Sequence, residues 1–177
     1  MSKSKVISTD DILATLCHSV TGVLTSASGN GISYSAMVQK ITRTCMRPDI
    51  GCFVLFDGGF TGLVITNFTS QAAMEIYGDY MRNMGMPEDE IAHSHLSDDV
   101  SNVLGELMNQ IVGDFTSKVR EQLHTSITQN QPKMMAINKQ VQISVDTTMD
   151  RPQARRVTFT TSKQNIFYLE LAMDKTE

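Results

Sequence analysis

Four polar residues in one segment of the chain have side chains that could do chemistry together if the segment is a helix. Glu106 and Asn109 stand three residues apart, about 60° from each other around a helix axis, with Asn102 one turn before Glu106 and Gln110 one turn after it. A carboxylate accepts charge-assisted hydrogen bonds, and a carboxamide can hold a water molecule. We expect one exposed polar stripe, and Gly113 just below it leaves room for another molecule to approach.

The Glu-x-x-Asn pair is common when taken alone, because polar residues at this spacing ordinarily solvate the outer face of an amphipathic helix. Pro132 makes the pattern more specific, since it follows Asn109 after 22 intervening residues. With 4 prolines among 177 residues, a proline at one given position has a chance of roughly one in forty. Glu106, Asn109 and Pro132 are therefore the main candidates for a functional site.

The elements that must position these residues follow two periods. Apolar residues at helical spacing predict three helices, from Thr9 to about Ser26, from Ser70 to Met84 and from Ser97 to Leu123. Alternation and short apolar runs predict six strands, at 32–38, 52–56, 60–66, 141–145, 157–159 and 166–173. An acidic connector, with a short helix after Pro87, joins the second and third long helices.

This order of elements predicts an α+β fold in which helices pack on a largely antiparallel sheet, in the order helix, three strands, two or three helices, three strands. It lacks the strand and helix alternation of a dinucleotide-binding fold. No repeat or linker interrupts it, so we expect a single domain over residues 1–177, with residues 1–8 flexible.

The composition excludes several classes of function. The chain has 15 basic and 19 acidic residues, a net charge of -4, which provides no basic field for nucleic acid. No signal peptide or apolar run of membrane-spanning length is present. Cys17, Cys45 and Cys52 form no CxxC pair and are expected to be reduced and buried. We expect a cytoplasmic protein that binds neither nucleic acid nor membrane.

The sequence Glu106-x-x-Asn109, then 22 residues, then Pro132 resembles the CheC/CheX/FliY-type chemotaxis phosphatases, whose pattern is Asp/Ser-x3-Glu-x2-Asn-x22-Pro. The order of elements is similar to that family over residues 9–174. The leading Asp/Ser position falls on Asn102, with Ser101 one place early.

The family's two-site members carry a second copy of the pattern on the first helix, where this chain has Thr15, Ser19 and Gly22. A single site is therefore expected. In this respect the chain is similar to the single-site CheX members, which are homodimers in the family.

The resemblance implies hydrolysis of the aspartyl phosphate of a phosphorylated CheY-like receiver, in chemotaxis or another two-component pathway. Asn109 would hold a water molecule in line with the phosphorus, and Glu106 would accept a hydrogen bond from the receiver's active-site lysine. Pro132 would shape the entry to the next strand, and Asn102, Gln110 and Gly113 would support the site. The chain would need no cofactor, because the receiver supplies its own Mg²⁺.

Two other interpretations remain open. The Asn102 departure favours a module of the same fold that binds a receiver or another signalling partner without accelerating hydrolysis. A small-molecule enzyme with a metal at His93 and His95 is the other, although histidines in an exposed connector are more ordinary. Arg151, Arg155 and Arg156 are expected at a solvated hairpin end that could touch an acidic partner.

Overall fold

The computed structural model describes residues 8–145 and 153–174. Within these residues the chain forms three α-helices, one 3-10 turn and ten strands: α1 (Thr9–Ser28), β1 (Ser33–Tyr34), β2 (Gln39–Ile41), β3 (Thr44–Met46), β4 (Ile50–Gly58), β5 (Gly62–Phe68), α2 (Ser70–Asn83), the turn Glu88–Glu90, α3 (Asp98–Leu123), β6 (Ile127–Gln129), β7 (Met135–Ala136), β8 (Val141–Ile143), β9 (Gln153–Thr160) and β10 (Ile166–Met173). None of the described helices combines the length and apolarity needed to cross a membrane.

Each helix begins at a hydroxyl residue that caps its first turn. Ser8 accepts a hydrogen bond from the Asp11 N–H at 3.0 Å, Thr69 accepts one from the N–H of Ala72, and Ser97 accepts one from the N–H of Asp99. The prediction of a flexible N-terminus concerns residues 1–7, which lie outside the described residues, and Ser8, which is the N-cap of α1.

The main sheet has the strand order β1-β9-β10-β5-β4-β6, with β2 also paired to β9 and β7 also paired to β4. Every pairing among the described residues is antiparallel. β5 lies inside the sheet and is buried along its whole length. The predicted α+β class, with helices on a largely antiparallel sheet, is confirmed.

The three helices cover one face of the sheet and enclose the main core. An aromatic row crosses this face, with the Phe68, Phe167 and Phe159 rings stacked at centroid distances of 4.7 and 4.8 Å. The apolar stripe of α3 is fully buried against this face, and it includes Leu104, Leu107, Ile111 and Phe115. This burial fixes the rotation of α3 about its own axis.

The opposite face of the sheet carries a smaller core under a two-stranded ribbon of β3 and β8. Met46, Leu63 and Ile65 are its buried apolar residues. Two buried polar side chains attach β3 to the sheet: Asn67 accepts from the Arg47 N–H at 2.7 Å, and Glu170 accepts from the Cys45 N–H at 3.2 Å.

The described part of the chain has more strands than its sequence pattern predicts. The predicted strand at 32–38 is wrong over most of its length, since only Ser33–Tyr34 pairs there and residues 35–38 are exposed. Tyr34 faces Phe159 and Gln39 faces Arg156, so four residues bulge out opposite two on β9. The short strands β2, β3, β6 and β7 were not predicted, because two or three residues are too few to establish a period.

The expectation of a solvated arginine cluster is also wrong where the structure describes it. β9 lies between other strands, so both of its edges are paired, and none of its residues is exposed. The Arg155 side chain is only 13% exposed and lies 3.7 Å from Asp10, and Arg156 lies 3.8 Å from the buried Glu170 carboxylate. Arg151 lies outside the described residues.

Candidate functional site

The first half of α3 presents three of the four predicted polar residues, Asn102, Glu106 and Asn109, on the side away from the sheet. Leu104 and Leu107 are buried against the sheet, and residues between them in the helical turn therefore point outward. Glu106 and Asn102 are exposed, and Asn109 is half-buried. The Glu106 and Asn109 side chains are thus neighbours on one accessible side of the helix.

A second wall is formed by residues 131–134, between β6 and β7. Burial alternates along it: Pro132 and Met134 are buried, while Gln131 and Lys133 are exposed. Met134 belongs to the main core, and a β-carbon built on Gly105 would lie 3.9 Å from its Cγ atom. The wall is therefore anchored directly against α3.

An open groove of about 400 Å³ separates this wall from α3. Three of the predicted residues of α3 line this groove together with Pro132. Its lining also includes charged residues, so that it contains Asp98, Asn102, Glu106, Asn109, Pro132 and Lys133. Pro132 lies three residues before β7, and it forms part of the groove itself.

The groove carries both signs of charge. Asp98 and Glu106 lie on α3, and Lys133 lies on the opposite wall. Within residues 8–145 and 153–174, no hydrogen bond or ion pair joins the side chains of Glu106, Asn109 or Lys133 to another residue. These side chains are available to a partner molecule.

Two of the predicted supporting residues lie elsewhere. Gln110 lines a different groove, of about 420 Å³, between α1, α2 and α3, together with Gly22 and Asp114. Partial burial alone would raise the pKa of Asp114, but a hydrogen bond from Lys118 at 2.8 Å, with a smaller effect of Ser19, lowers it below its ordinary value. Gly113 is exposed and lines neither groove, and a β-carbon there would meet nothing within 4 Å.

The equivalent positions on α1 carry no comparable site. Ser19 is fully buried, Thr15 is 8% exposed, and Gly22 has no side chain to offer. None of the three supplies an accessible carboxylate or carboxamide. The arrangement on α3 is not repeated on α1.

The remaining candidates have ordinary structural roles. His93 is exposed and His95 half-buried, and no group of three or more His, Cys, Asp or Glu residues is arranged to hold a metal ion in the described part of the chain. The three cysteines are buried and unpaired, as predicted. Burial raises the pKa of Cys17 and Cys52 to about 12, which makes both poor nucleophiles.

Sequence reasoning missed Asp98 and Lys133 as members of the groove. The alternation of polar and apolar residues from Gln131 to Met134 is the signal that could have identified Lys133 as an outward-pointing neighbour of Pro132. Asp98 was assigned to the acidic connector that precedes α3, which pointed to no role in a groove.

Comparison with known proteins covers nearly the whole chain. Residues 3–177 match the family described as Protein of unknown function (DUF3334). No curated protein matches the sequence.

Solved structures of similar fold come from chemotaxis proteins. A chemotaxis protein CheX from Desulfovibrio desulfuricans has a TM-score of 0.72 and 19% identity, over 93% of this chain and 99% of that one. A CheC-like superfamily protein from Shewanella sp. PV-4 has a TM-score of 0.75 and 15% identity, over 95% and 99% of the two chains.

The CheX-CheY-BeF3-Mg²⁺ complex from Borrelia burgdorferi is a third similar structure, with a TM-score of 0.65 and 15% identity, over 92% of this chain and 97% of that one. At these identities the likeness concerns the fold, and it agrees with the resemblance read from the Glu106, Asn109 and Pro132 spacing. The chain therefore belongs to the DUF3334 family, and its fold is that of the CheC/CheX/FliY-type chemotaxis proteins.

Proposed function

We propose that this chain hydrolyses the aspartyl phosphate of a CheY-like receiver. The observation that carries the proposal is the placement of Glu106, Asn109 and Pro132 in one open groove, with the two polar side chains free of partners among the described residues. The fold shared with a CheX that forms a complex with CheY supports a receiver as the partner.

The reaction needs little from the phosphatase beyond positioning. The receiver's acyl phosphate is labile, and the receiver brings the Mg²⁺ that neutralises its charge, so neither a nucleophile nor a metal is required of this chain. A water oxygen attacks the phosphorus, the bond between phosphorus and the aspartyl oxygen breaks, and inorganic phosphate and a carboxylate result. Asn109 orients that water through its amide group.

Glu106 has a docking role in this proposal. Its exposed carboxylate accepts a charge-assisted hydrogen bond from the receiver's active-site lysine, which sets the register of α3 against the receiver. Pro132 and Met134 hold the opposite wall in place, and Asn102 lines the groove one helical turn before Glu106. Asn109 is less exposed than Glu106, as suits the residue that must meet the reacting groups.

The second candidate function is a receiver-binding module without phosphatase activity. Asn102 favours it, because the position holds Asp or Ser in the family pattern that the chain resembles. A carboxamide there cannot supply the negative charge of Asp or the small hydroxyl of Ser. Binding through Glu106 would remain while turnover is lost.

The test is phosphate release from a panel of phosphorylated receivers of the same organism, with and without the purified chain. The proposal expects faster loss of phosphate from at least one receiver, and Asn109→Ala should abolish the acceleration. A chain that binds a phosphorylated receiver and never accelerates its decay would establish the binding module instead.

A homodimer and a cytoplasmic location complete the proposal. The single-site members that the chain resembles are dimers, and the short edge strands β1 and β6 leave backbone groups available for a partner. Light scattering at micromolar concentration should give twice the chain mass of 19.6 kDa, whereas the mass of one chain would contradict the dimer. The reaction itself requires the compartment in which receivers are phosphorylated, the cytoplasm.

A further inference from the structure

Lys133 is the one basic residue among those that line the groove within the described part of the chain. Its neighbours Pro132 and Met134 are both buried, so the backbone that carries Lys133 is fixed while its side chain extends into solvent. Rigid backbone beneath an exposed charge lowers the entropic cost of using that charge in recognition.

The charges across the groove are opposite and yet unpaired among the described residues. Lys133 faces a wall that carries Asp98 and Glu106, and neither carboxylate lies within 4.0 Å of the lysine amino group. A groove that keeps both signs separate is complementary to a partner surface that also carries both signs.

A receiver's phosphorylation site has this character. It holds Mg²⁺ through carboxylates and phosphate oxygens, and it carries the lysine that Glu106 is proposed to meet. When Glu106 on α3 meets that lysine, the opposite wall is the part of the groove that remains to face the receiver's carboxylates. Lys133 is the residue placed to meet it.

We propose that Lys133 forms an ion pair with a carboxylate beside the receiver's phosphorylation site, and that it thereby positions the receiver over Asn109 and sets its affinity. The proposal rests on the receiver as the partner, as proposed above, but not on the chain's catalysing hydrolysis. Lys133 is a positioning residue, so its loss should weaken binding and slow encounter more than it slows turnover at saturation.

The experiment compares Lys133→Glu with Lys139→Glu on the full chain. Lys139 is an exposed lysine six residues further along, outside the groove, and its variant makes the same change of charge. The affinity for the CheY-like receivers of the same organism is measured with and without beryllofluoride and Mg²⁺, at low and at high ionic strength. The rate of receiver dephosphorylation gives KM and kcat separately.

Lys133→Glu should weaken receiver binding and raise KM about five- to tenfold at low ionic strength, with less effect at high ionic strength. Its kcat, and all constants of Lys139→Glu, should stay within about twofold of the original protein, since a rim charge acts mainly on encounter. The loss of affinity should be equal for receivers with and without beryllofluoride, because Lys133 is proposed to contact a carboxylate of the receiver and not its phosphoryl group.

Equal behaviour of the two variants overturns the role of Lys133, and so does a loss confined to the beryllofluoride-loaded receiver, which would assign the lysine to the phosphoryl group. If the chain accelerates hydrolysis and the two variants behave alike, the proposed reaction stands and only the role of Lys133 fails. If binding depends on Lys133 but no hydrolysis is seen, the role of Lys133 stands and the proposed reaction fails. If no receiver binds the chain, both proposals fail.

Discussion

Glu106 and Asn109 line one groove from the same helix, and they differ in exposure: Glu106 is exposed, whereas Asn109 is half-buried. Their three-residue spacing on α3 places both on the side that faces residues 131–134. The exposed carboxylate of Glu106 is suited to capture a charged partner, and the half-buried carboxamide of Asn109 is suited to a group held over the helix. Substitutions at the two positions should therefore differ in kind.

Replacing Asn109 should remove turnover. Asn109→Ala loses the amide that orients the attacking water, and we expect kcat to fall by about a hundredfold or more while the receiver's dissociation constant changes less than about threefold. Asn138→Ala, at an exposed asparagine outside the groove, is the matched control and should behave like the original protein. An Asn109→Ala variant with unchanged kcat would remove this residue from the mechanism.

Replacing Glu106 should weaken binding of the receiver. Glu106→Ala loses the acceptor for the receiver's lysine, so we expect weaker binding and a raised KM, with much of the rate recovered at saturating receiver. Glu121→Ala changes an exposed carboxylate at the far end of α3 and serves as the control. A Glu106→Ala variant with normal affinity and the same loss of kcat as Asn109→Ala would contradict the docking role.

Both variants should remain folded. Neither side chain has a hydrogen-bonding partner among the described residues, and substitutions at such positions usually change the free energy of unfolding by less than about 0.5 kcal/mol. Urea denaturation of the original protein and the two variants measures this directly. A loss of several kcal/mol in either variant would place that side chain in the packing of the protein instead of in its binding surface.

The sequence was sufficient to predict the helices, whose apolar residues recur at a regular period. Helical periodicity located α1, α2 and α3 to within about two residues at their ends, because each has a long apolar stripe and a hydroxyl cap. The same stripe on α3 predicted which side Glu106 and Asn109 would occupy. Contacts between distant segments were beyond such reasoning.

The groove and the arginine positions illustrate that limit. Lys133 lines the groove opposite α3 because its neighbours Pro132 and Met134 are buried, and that burial depends on the assembled core. Arg155 and Arg156 were expected in solvent, but β9 is an inner strand paired with β1 and β2, and its two arginines lie against Asp10 and the buried Glu170. Spacing along the chain does not specify which strands become neighbours.

A buried carboxylate on α2 should contribute strongly to stability. Glu75 accepts hydrogen bonds from the Thr161 hydroxyl, the Lys163 N–H at 3.0 Å and the Asn165 amide at 3.0 Å, all in the turn between β9 and β10. Glu75→Ala leaves these donors without an acceptor and should reduce the free energy of unfolding by about 3 kcal/mol.

The loss corresponds to a fall of about 6–12 °C in melting temperature for a chain of this length. Circular dichroism during heating measures it, and Glu121→Ala on the exposed face of α3 is the control. A melting temperature of Glu75→Ala equal to that of the control would show that the turn is not held by this carboxylate.

Glu170 should make stability depend on pH in a characteristic direction. It is fully buried on β10, and burial raises the pKa of its carboxyl above the ordinary value of 4.5, although the Cys45 N–H and the charges of Arg47 and Arg156 act to lower it. The folded protein therefore binds more protons than the unfolded chain between these two pKa values. Stability should fall as pH rises through that window, because ionising the buried carboxyl costs free energy.

Glu170→Gln removes the titration while keeping the shape of the side chain, so the comparison isolates this group. The free energy of unfolding of the original protein minus that of Glu170→Gln should decline as pH rises above 4.5 and become constant above the raised pKa. Urea denaturation of both proteins at a series of pH values measures the difference, with Glu121→Gln as an exposed control. A difference that grows with pH would mean that Arg47 and Arg156 outweigh desolvation and lower the pKa of Glu170 in the folded protein.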